Sequence, residues 1–224
     1  MSFAPVKTPA VAKKMFPNYI WDMPATEKVL YLTFDDGPTP DITSWTLNIL
    51  AEYNAKATFF CIGKNIQNHP DLFKEVVSSG HSIGNHTQNH IKGWKTKAES
   101  YLENVGKAQD HIEKHLEALP AKSIASESGK LFRPPYGQIS PKQGKKLITL
   151  GYHVIMWDVI AFDWDKSISP ETCLKHVTSK AKEGSIVVFH DSVKAQKNMQ
   201  YALPKTLDYF SEKGYRFAPI QIKK

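Results

Sequence analysis

The sequence predicts one α/β domain built on a largely parallel sheet, either open and doubly wound or closed into a barrel. The first observation is that short, β-rich apolar runs alternate with longer segments of helical periodicity, in about seven units. The second is the composition of the 224 residues, of which 41% are hydrophobic and 23% charged. Such a chain can bury a sizeable core, which excludes disorder, collagen-like repeats and coiled coils.

The predicted elements follow one another along the chain. An apolar run at 29–34 indicates the first strand, and helical periodicity over 42–53 indicates the first helix. Further strands are predicted at 57–62, 81–84, 152–157, 185–189 and 215–218, with another entering Phe132. Further helices are predicted at 70–79, 97–119, 141–150, 170–182 and 203–213, with a Ser-rich loop at 121–130. We expect residues 1–26 to be an N-terminal extension, packed on the domain or partly loose, and residues 27–224 to be the domain.

Charge and hydropathy limit the partners and the compartment. The net charge is +7, but the lysines are scattered along the chain, so we expect no nucleic-acid partner. No apolar run reaches the roughly 20 residues of a membrane span, and residues 1–17 lack the apolar core of a signal peptide. We expect a cytoplasmic protein as the chain is written, or a cell-envelope or secreted one if a leader has been removed. We also expect a monomer.

Cysteine usage and glycine motifs exclude several classes of site. Cys61 lies inside an apolar run and Cys173 is far from it in sequence, so we expect two free thiols in the core. Neither a dinucleotide fingerprint nor a phosphate-binding loop follows the first strand, which excludes the usual nucleotide sites.

Residues capable of chemistry follow five of the predicted strands. They are Asp35-Asp36, His86 to His90, Arg133 to Tyr136, Asp163-Trp164 and His190-Asp191. The C-terminal ends of parallel strands meet at one mouth of a barrel, where active sites are built. We therefore expect these side chains to converge.

Two histidines four residues apart, His86 and His90, can bind one metal ion. A carboxylate from another strand would complete a His₂–carboxylate site with a position left for water. His111 and His115 have the same spacing, but they lie among charged residues in a predicted helix and are interpreted as a solvated face. The spacing therefore favours His86 and His90 as the ligands.

The pair Asp35-Asp36 has two interpretations, because the following Gly-Pro is also a turn signal. Beside a divalent ion, one carboxylate could bind the metal while the other accepts a proton from water. His190 is similarly either a hydrogen-bonded residue at a strand end or a candidate general acid.

These residues resemble the polysaccharide deacetylases of carbohydrate esterase family four, also called the NodB homology domain. The segment 33–38, Thr-Phe-Asp-Asp-Gly-Pro, looks like the first family motif, and His86 to His90 matches the motif H-[ST]-x-x-H. Residues 133–136, Arg-Pro-Pro-Tyr, are similar to the third motif, and 163–164 and 188–190 look like the fourth and fifth. The motifs occur in family order, and the resemblance implies a distorted, incomplete (β/α)7 barrel.

The resemblance also implies roles for the residues nearest the metal. Asp35 would be the general base, and Arg133 would orient its carboxylate. Asp36, His86 and His90 would hold a divalent metal, usually zinc, with cobalt as an alternative.

The remaining roles concern the acid and the substrate. His190 would be the general acid, oriented by Asp163. Trp164 and Val188 would wall the acetyl pocket, and the backbone N–H of Tyr136 would join the metal in stabilising the oxyanion, so that Tyr136 would be both catalytic and substrate-binding.

Two positions depart from the family pattern. The fourth motif often reads D-x-x-D-W, but the first position here is Ile160, and Val188 stands where the fifth motif has Leu. Because Asp163 beside Trp164 is retained, we expect catalysis to survive with an altered pocket.

The predicted function is a metal-dependent hydrolase that removes N-acetyl groups from an N-acetylhexosamine glycan of peptidoglycan or chitin type and releases acetate. One alternative is an acetylxylan-type O-acetyl esterase, because the same chemistry cleaves esters. Another is a catalytically inactive carbohydrate-binding protein. A phosphatase using the Asp pair is disfavoured, because Gly37 stands where such enzymes have the second Asp of D-x-D.

Overall fold

The computed structural model describes residues 5–117 and 129–222. Its strands are β1 (Val29–Asp35), β2 (Thr58–Cys61), β3 (Ser82–Asn85), β4 (Lys130–Phe132), β5 (Tyr152–Val154), β6 (Val159–Ile160), β7 (Ile186–His190) and β8 (Arg216–Phe217). Its helices are α1 (Ala10–Met15), α2 (Ile42–Glu52), α3 (Gly63–Asn68), α4 (Pro70–Ser78), α5 (Ala98–Glu117), α6 (Pro141–Thr149), α7 (Pro170–Thr178) and α8 (Gln196–Glu212). The predicted loop at 121–130 lies mostly outside the described residues.

Seven parallel strands form a curled sheet in the order β5, β4, β3, β2, β1, β7, β6, and β8 pairs with the start of β1. The strands follow the chain around the sheet, with one break between β5 and β6. This order is that of a barrel that has not closed, so the predicted incomplete (β/α)7 barrel is confirmed and the doubly wound alternative is excluded.

The N-terminal segment packs along the open seam between β5 and β6. Ile20 pairs in parallel with Ile155, next to the end of β5, and Lys7 pairs antiparallel with Val159 of β6. Nearby, the buried carboxylate of Asp158 accepts hydrogen bonds from the ammonium groups of Lys7 and Lys13, each at 2.6 Å. Main-chain pairing and two ion pairs therefore hold this segment against the barrel.

Alternation along β1 separates the core from the site. Phe34 lies between Phe59 and Phe189, its partners in register on β2 and β7, with ring centroids 5.0 and 6.1 Å away. Successive side chains of a strand point to opposite faces, so Thr33 and Asp35 share the other face. The same alternation that builds the aromatic core thus directs Asp35 towards the barrel interior.

Several predicted elements differ from the structure. The last helix begins at Gln196 rather than 203, because burial of one apolar face, including Met199 and Leu207, outweighs the hydrogen bond that Pro204 cannot make. The short α3 and the two-residue β6 were not predicted. Cys61 and Cys173 are free and buried, as predicted. In the described ranges, no helix has the length and apolarity to cross a membrane.

Candidate active site

The register of the sheet brings the predicted site residues to one end of the barrel. Asp35, the last residue of β1, pairs with His190, the last residue of β7. On the other side, Asn85 ends β3, so His86 begins the loop that leaves the sheet at the same level. The strand ends are aligned, and the side chains that follow them converge on one cleft.

Arg133 holds the Asp35 carboxylate in the barrel interior. Its guanidinium is fully buried and donates from Nη1 to Asp35 Oδ1 and to Thr33 Oγ1, both at 2.7 Å. Its other nitrogens donate to the carbonyls of Met156 at 2.9 Å and Ile155 at 3.3 Å. A planar fork with donors on three nitrogens can make all these contacts at once, so the Asp35 carboxylate is held in one orientation.

Asp36, His86 and His90 form a cluster of metal-ligand type. One ligand atom from each lies within 4.8 Å of the others, with Asp36 Oδ1 3.2 Å from His90 Nε2 and 3.9 Å from His86 Nε2. Asp36 Oδ1 is buried and accepts no hydrogen bond from any described residue. A buried carboxylate oxygen without a hydrogen-bond donor is suited to a cation, and two imidazoles with one carboxylate suit zinc.

The surroundings keep both histidines ready to bind a cation. Burial lowers the pKa of His86 to about 4 and also lowers the pKa of His90, so both rings are neutral at pH 7. His86 Nδ1 lies 2.8 Å from the Arg133 carbonyl, to which only a protonated nitrogen can donate. That bond leaves the lone pair of the neutral ring on Nε2, the nitrogen that faces Asp36. Burial opposes ionisation of Asp36, but nearby His190, His86 and His90 outweigh it and lower the Asp36 pKa.

His190 forms a second charged pair across the cleft. Its Nδ1 lies 2.8 Å from Asp163 Oδ1, and its backbone N–H donates to Asp163 Oδ2 at 2.7 Å. Burial lowers the pKa of His190, but the Asp163 carboxylate more than offsets this and raises it to about 9. The Trp164 ring packs edge-on against His190 with centroids 4.6 Å apart. The imidazole is therefore a cation at pH 7, with both nitrogens protonated, and these contacts fix its position.

The site lines a cleft of about 570 Å³. Tyr136 stands at its mouth, 56% exposed, with its hydroxyl 3.2 Å from His90 Nδ1. Trp164 and Ile160 line the wall, whereas Val188 is 1% exposed and packs in a cluster with Ile160. Val188, which stands where the family motif has Leu, therefore packs behind the wall of the cleft. Ile160, which stands where the motif has Asp, lies on the wall itself.

Polar residues to which the sequence analysis assigned no role also support this site. Asp191 is buried and accepts hydrogen bonds from the Gly37 N–H at 3.0 Å and from Thr43 Oγ1 at 2.5 Å. Asn65 donates to the Asp36 carbonyl at 2.7 Å. These hydrogen bonds fix the turn that carries both aspartates. The available signal was the position of Asp191, directly after His190 at a strand end.

Fold and site together define a class of protein: an incomplete barrel in which a His₂–carboxylate cluster shares one cleft with a buried Asp–Arg pair and a protonated histidine, an arrangement suited to metal-assisted hydrolysis. The family model described as polysaccharide deacetylase matches residues 22–155. The chain belongs to the polysaccharide deacetylase family, as the five motifs predicted.

Named relatives agree with this assignment. A peptidoglycan-N-acetylglucosamine deacetylase of Bacillus cereus is 35% identical over 202 residues, which cover 89% of this chain and 90% of that protein. A chitooligosaccharide deacetylase of Azorhizobium caulinodans is 32% identical over 72% of this chain and 73% of its own. The crystal structure of the Bc1960 peptidoglycan N-acetylglucosamine deacetylase superposes with a TM-score of 0.83 at 29% identity, covering 95% of both chains.

Proposed function

We propose that this protein is a metal-dependent N-deacetylase that hydrolyses the acetamide of an N-acetylhexosamine in a glycan chain. The observation that carries the proposal is the placement of a metal-ligand cluster between a buried carboxylate and a protonated histidine in one cleft. Amide hydrolysis needs a proton acceptor for water and a proton donor for the amine, and this cleft provides both.

Asp35 is the general base of the proposed reaction. It accepts a proton from the attacking water, whose oxygen adds to the acetamide carbonyl carbon. Arg133 neutralises the buried carboxylate and holds Oδ1, which leaves the second oxygen of Asp35 to accept the proton. The backbone N–H of Tyr136 is proposed to donate to the oxyanion that develops at the carbonyl.

His190 is the general acid. Its ring proton passes to the amine nitrogen as the carbon–nitrogen bond breaks, so the products are acetate and an amino sugar. Asp163 keeps the proton on the imidazole and fixes the ring by its contact with Nδ1, so the opposite nitrogen is the donor. Trp164 packs against that ring and is proposed to wall the acetyl pocket together with Ile160.

Zinc is the proposed metal, held by Asp36 Oδ1, His86 Nε2 and a ring nitrogen of His90, with cobalt as a substitute. When bound, the cation would lower the pKa of water in the cleft and polarise the acetyl carbonyl. The neutral state of both imidazoles and the unpartnered carboxylate oxygen support this ligand set.

The proposal is tested by acetate release from an N-acetylglucosamine oligomer with zinc-loaded protein and the variant Asp35→Asn. We expect Asp35→Asn to abolish release while it still binds zinc, because Asp35 is the base and not a ligand. Asp110→Asn, the same chemical change on the exposed side of α5, is the matched control and should retain full activity. Full activity in Asp35→Asn would refute the assignment of the base.

Two rival functions give different results in the same assay. An O-acetyl esterase would release acetate faster from acetylated xylan than from the N-acetylated oligomer. A binding protein without catalysis would bind the oligomer but release nothing from either substrate, and it would have no need of base, acid and all three ligands.

A further inference from the structure

A second cleft of about 560 Å³ adjoins the catalytic cleft, and Lys194 lines both. Lys166 contributes to it from the loop after β6, and Lys197 contributes from the first turn of α8. Three amide side chains complete its polar lining: Gln196, Asn198 and Gln200. The ammonium groups only donate hydrogen bonds and the amides both donate and accept, so donors outnumber acceptors in this recess.

The positive charge of the second cleft is not neutralised within the part of the chain that the structure describes. No salt bridge there involves any of the three lysines. The lining has one carboxylate, Asp163, and both of its oxygens bond to His190. Asp165 and Glu171 act on Lys194 and Lys197 only through longer-range attraction. Three cations in one concave surface attract an anion.

We propose that the second cleft binds a carboxylate carried by the sugar next to the one that is deacetylated. This inference rests on the proposed function, because it takes the catalytic cleft to hold the acetylated sugar. Lys194 lies where the two clefts meet, so the neighbouring sugar of a bound chain reaches the lysines. A neutral N-acetylglucosamine chain presents only hydroxyl and acetamide groups there. A lactyl ether on that sugar presents a carboxylate, which pairs with ammonium groups.

The test compares two tetrasaccharides that differ only in this group: an N-acetylglucosamine tetramer, and its counterpart in which alternate sugars are N-acetylmuramic acid without peptide. We expect kcat/KM for acetate release to be higher for the lactyl-bearing substrate. The double variant Lys166→Gln/Lys197→Gln should lose about threefold to tenfold on that substrate and keep its rate on the neutral one. Added salt should reduce the preference, because it screens exposed charges.

Lys145→Gln on α6 is the matched control, since Lys145 is exposed and lines neither cleft. Equal rates on the two substrates, or equal losses on both in the double variant, would overturn the inference. Dissociation constants measured with zinc-loaded Asp35→Asn separate this result from failure of the proposed function. A lactyl preference in binding that the double variant loses supports the second cleft even if the wild-type protein releases no acetate.

Discussion

Replacement of Arg133 by Lys keeps the positive charge but removes the planar, three-nitrogen guanidinium group. Arg133 makes four hydrogen bonds from three nitrogens, whereas a lysine ammonium donates from a single point. Asp35 and Thr33 are both bonded to Nη1, so one ammonium can serve them, and the carbonyls of Ile155 and Met156 are then left unbonded.

The loss can be estimated from these contacts. Hydrogen bonds that involve a charged group contribute about 1.5–3 kcal/mol each, so two lost bonds lower the free energy of unfolding by about 3 kcal/mol or more. For a chain of this size, about 3 kcal/mol corresponds to a fall in Tm of about 6–12 °C. Without the two carbonyl bonds the lysine side chain is held less firmly than the guanidinium, and a displacement of about 1 Å in the carboxylate of Asp35, the proposed base, would reduce kcat by about 10²-fold.

Thermal unfolding and acetate release measure the two effects separately. The matched control is Arg216→Lys, because Arg216 is the one other arginine in the sequence and forms an exposed ion pair with Glu27. That control should leave Tm and activity unchanged. A Tm for Arg133→Lys within 2 °C of wild type, with activity within about twofold, would refute the argument that the planar fork positions Asp35.

Three further predictions concern the acid, the turn and the metal. Asp163→Asn removes the carboxylate that raises the His190 pKa, so the alkaline limb of the kcat–pH profile moves to lower pH; an unmoved limb would contradict this. Gly37→Ala places a Cβ 2.0 Å from Asp191 Oδ2, so Tm falls. Gly106→Ala adds a Cβ in open space on α5, so Tm rises. Equal shifts in Tm would contradict the close contact between Gly37 and Asp191. His86→Ala abolishes zinc binding and His111→Ala preserves it, as measured by metal content after dialysis; zinc retained by His86→Ala would rule out that ligand.

The convergence of the candidate site side chains could be predicted because it follows from a local signal. Each chemically capable residue directly follows an apolar run, and parallel strands bring their C-terminal ends to one place. Asp35 and His190 are in register for this reason. The choice of a barrel over a doubly wound sheet came from the motifs, because both folds share the same strand–helix alternation.

Other features depend on contacts between residues distant in sequence. Asp158 is separated from Lys7 and Lys13 by about two thirds of the sequence. No local sequence pattern therefore predicts that the N-terminal segment fills the seam between β5 and β6. The two residues of β6 are too few to show alternation. The start of α8 was missed because Pro204 is a helix breaker by propensity, and only the buried face around it keeps the helix continuous.

The central claim, metal-dependent amide hydrolysis in this cleft, is tested most directly by acetate release from an N-acetylglucosamine oligomer. The protein is assayed as isolated, after chelation, and after zinc or cobalt is added back, with bound metal measured each time. We expect release to disappear with the metal and to return when either ion is restored. Release at an undiminished rate from metal-free protein, or none from zinc-loaded protein, would contradict the account.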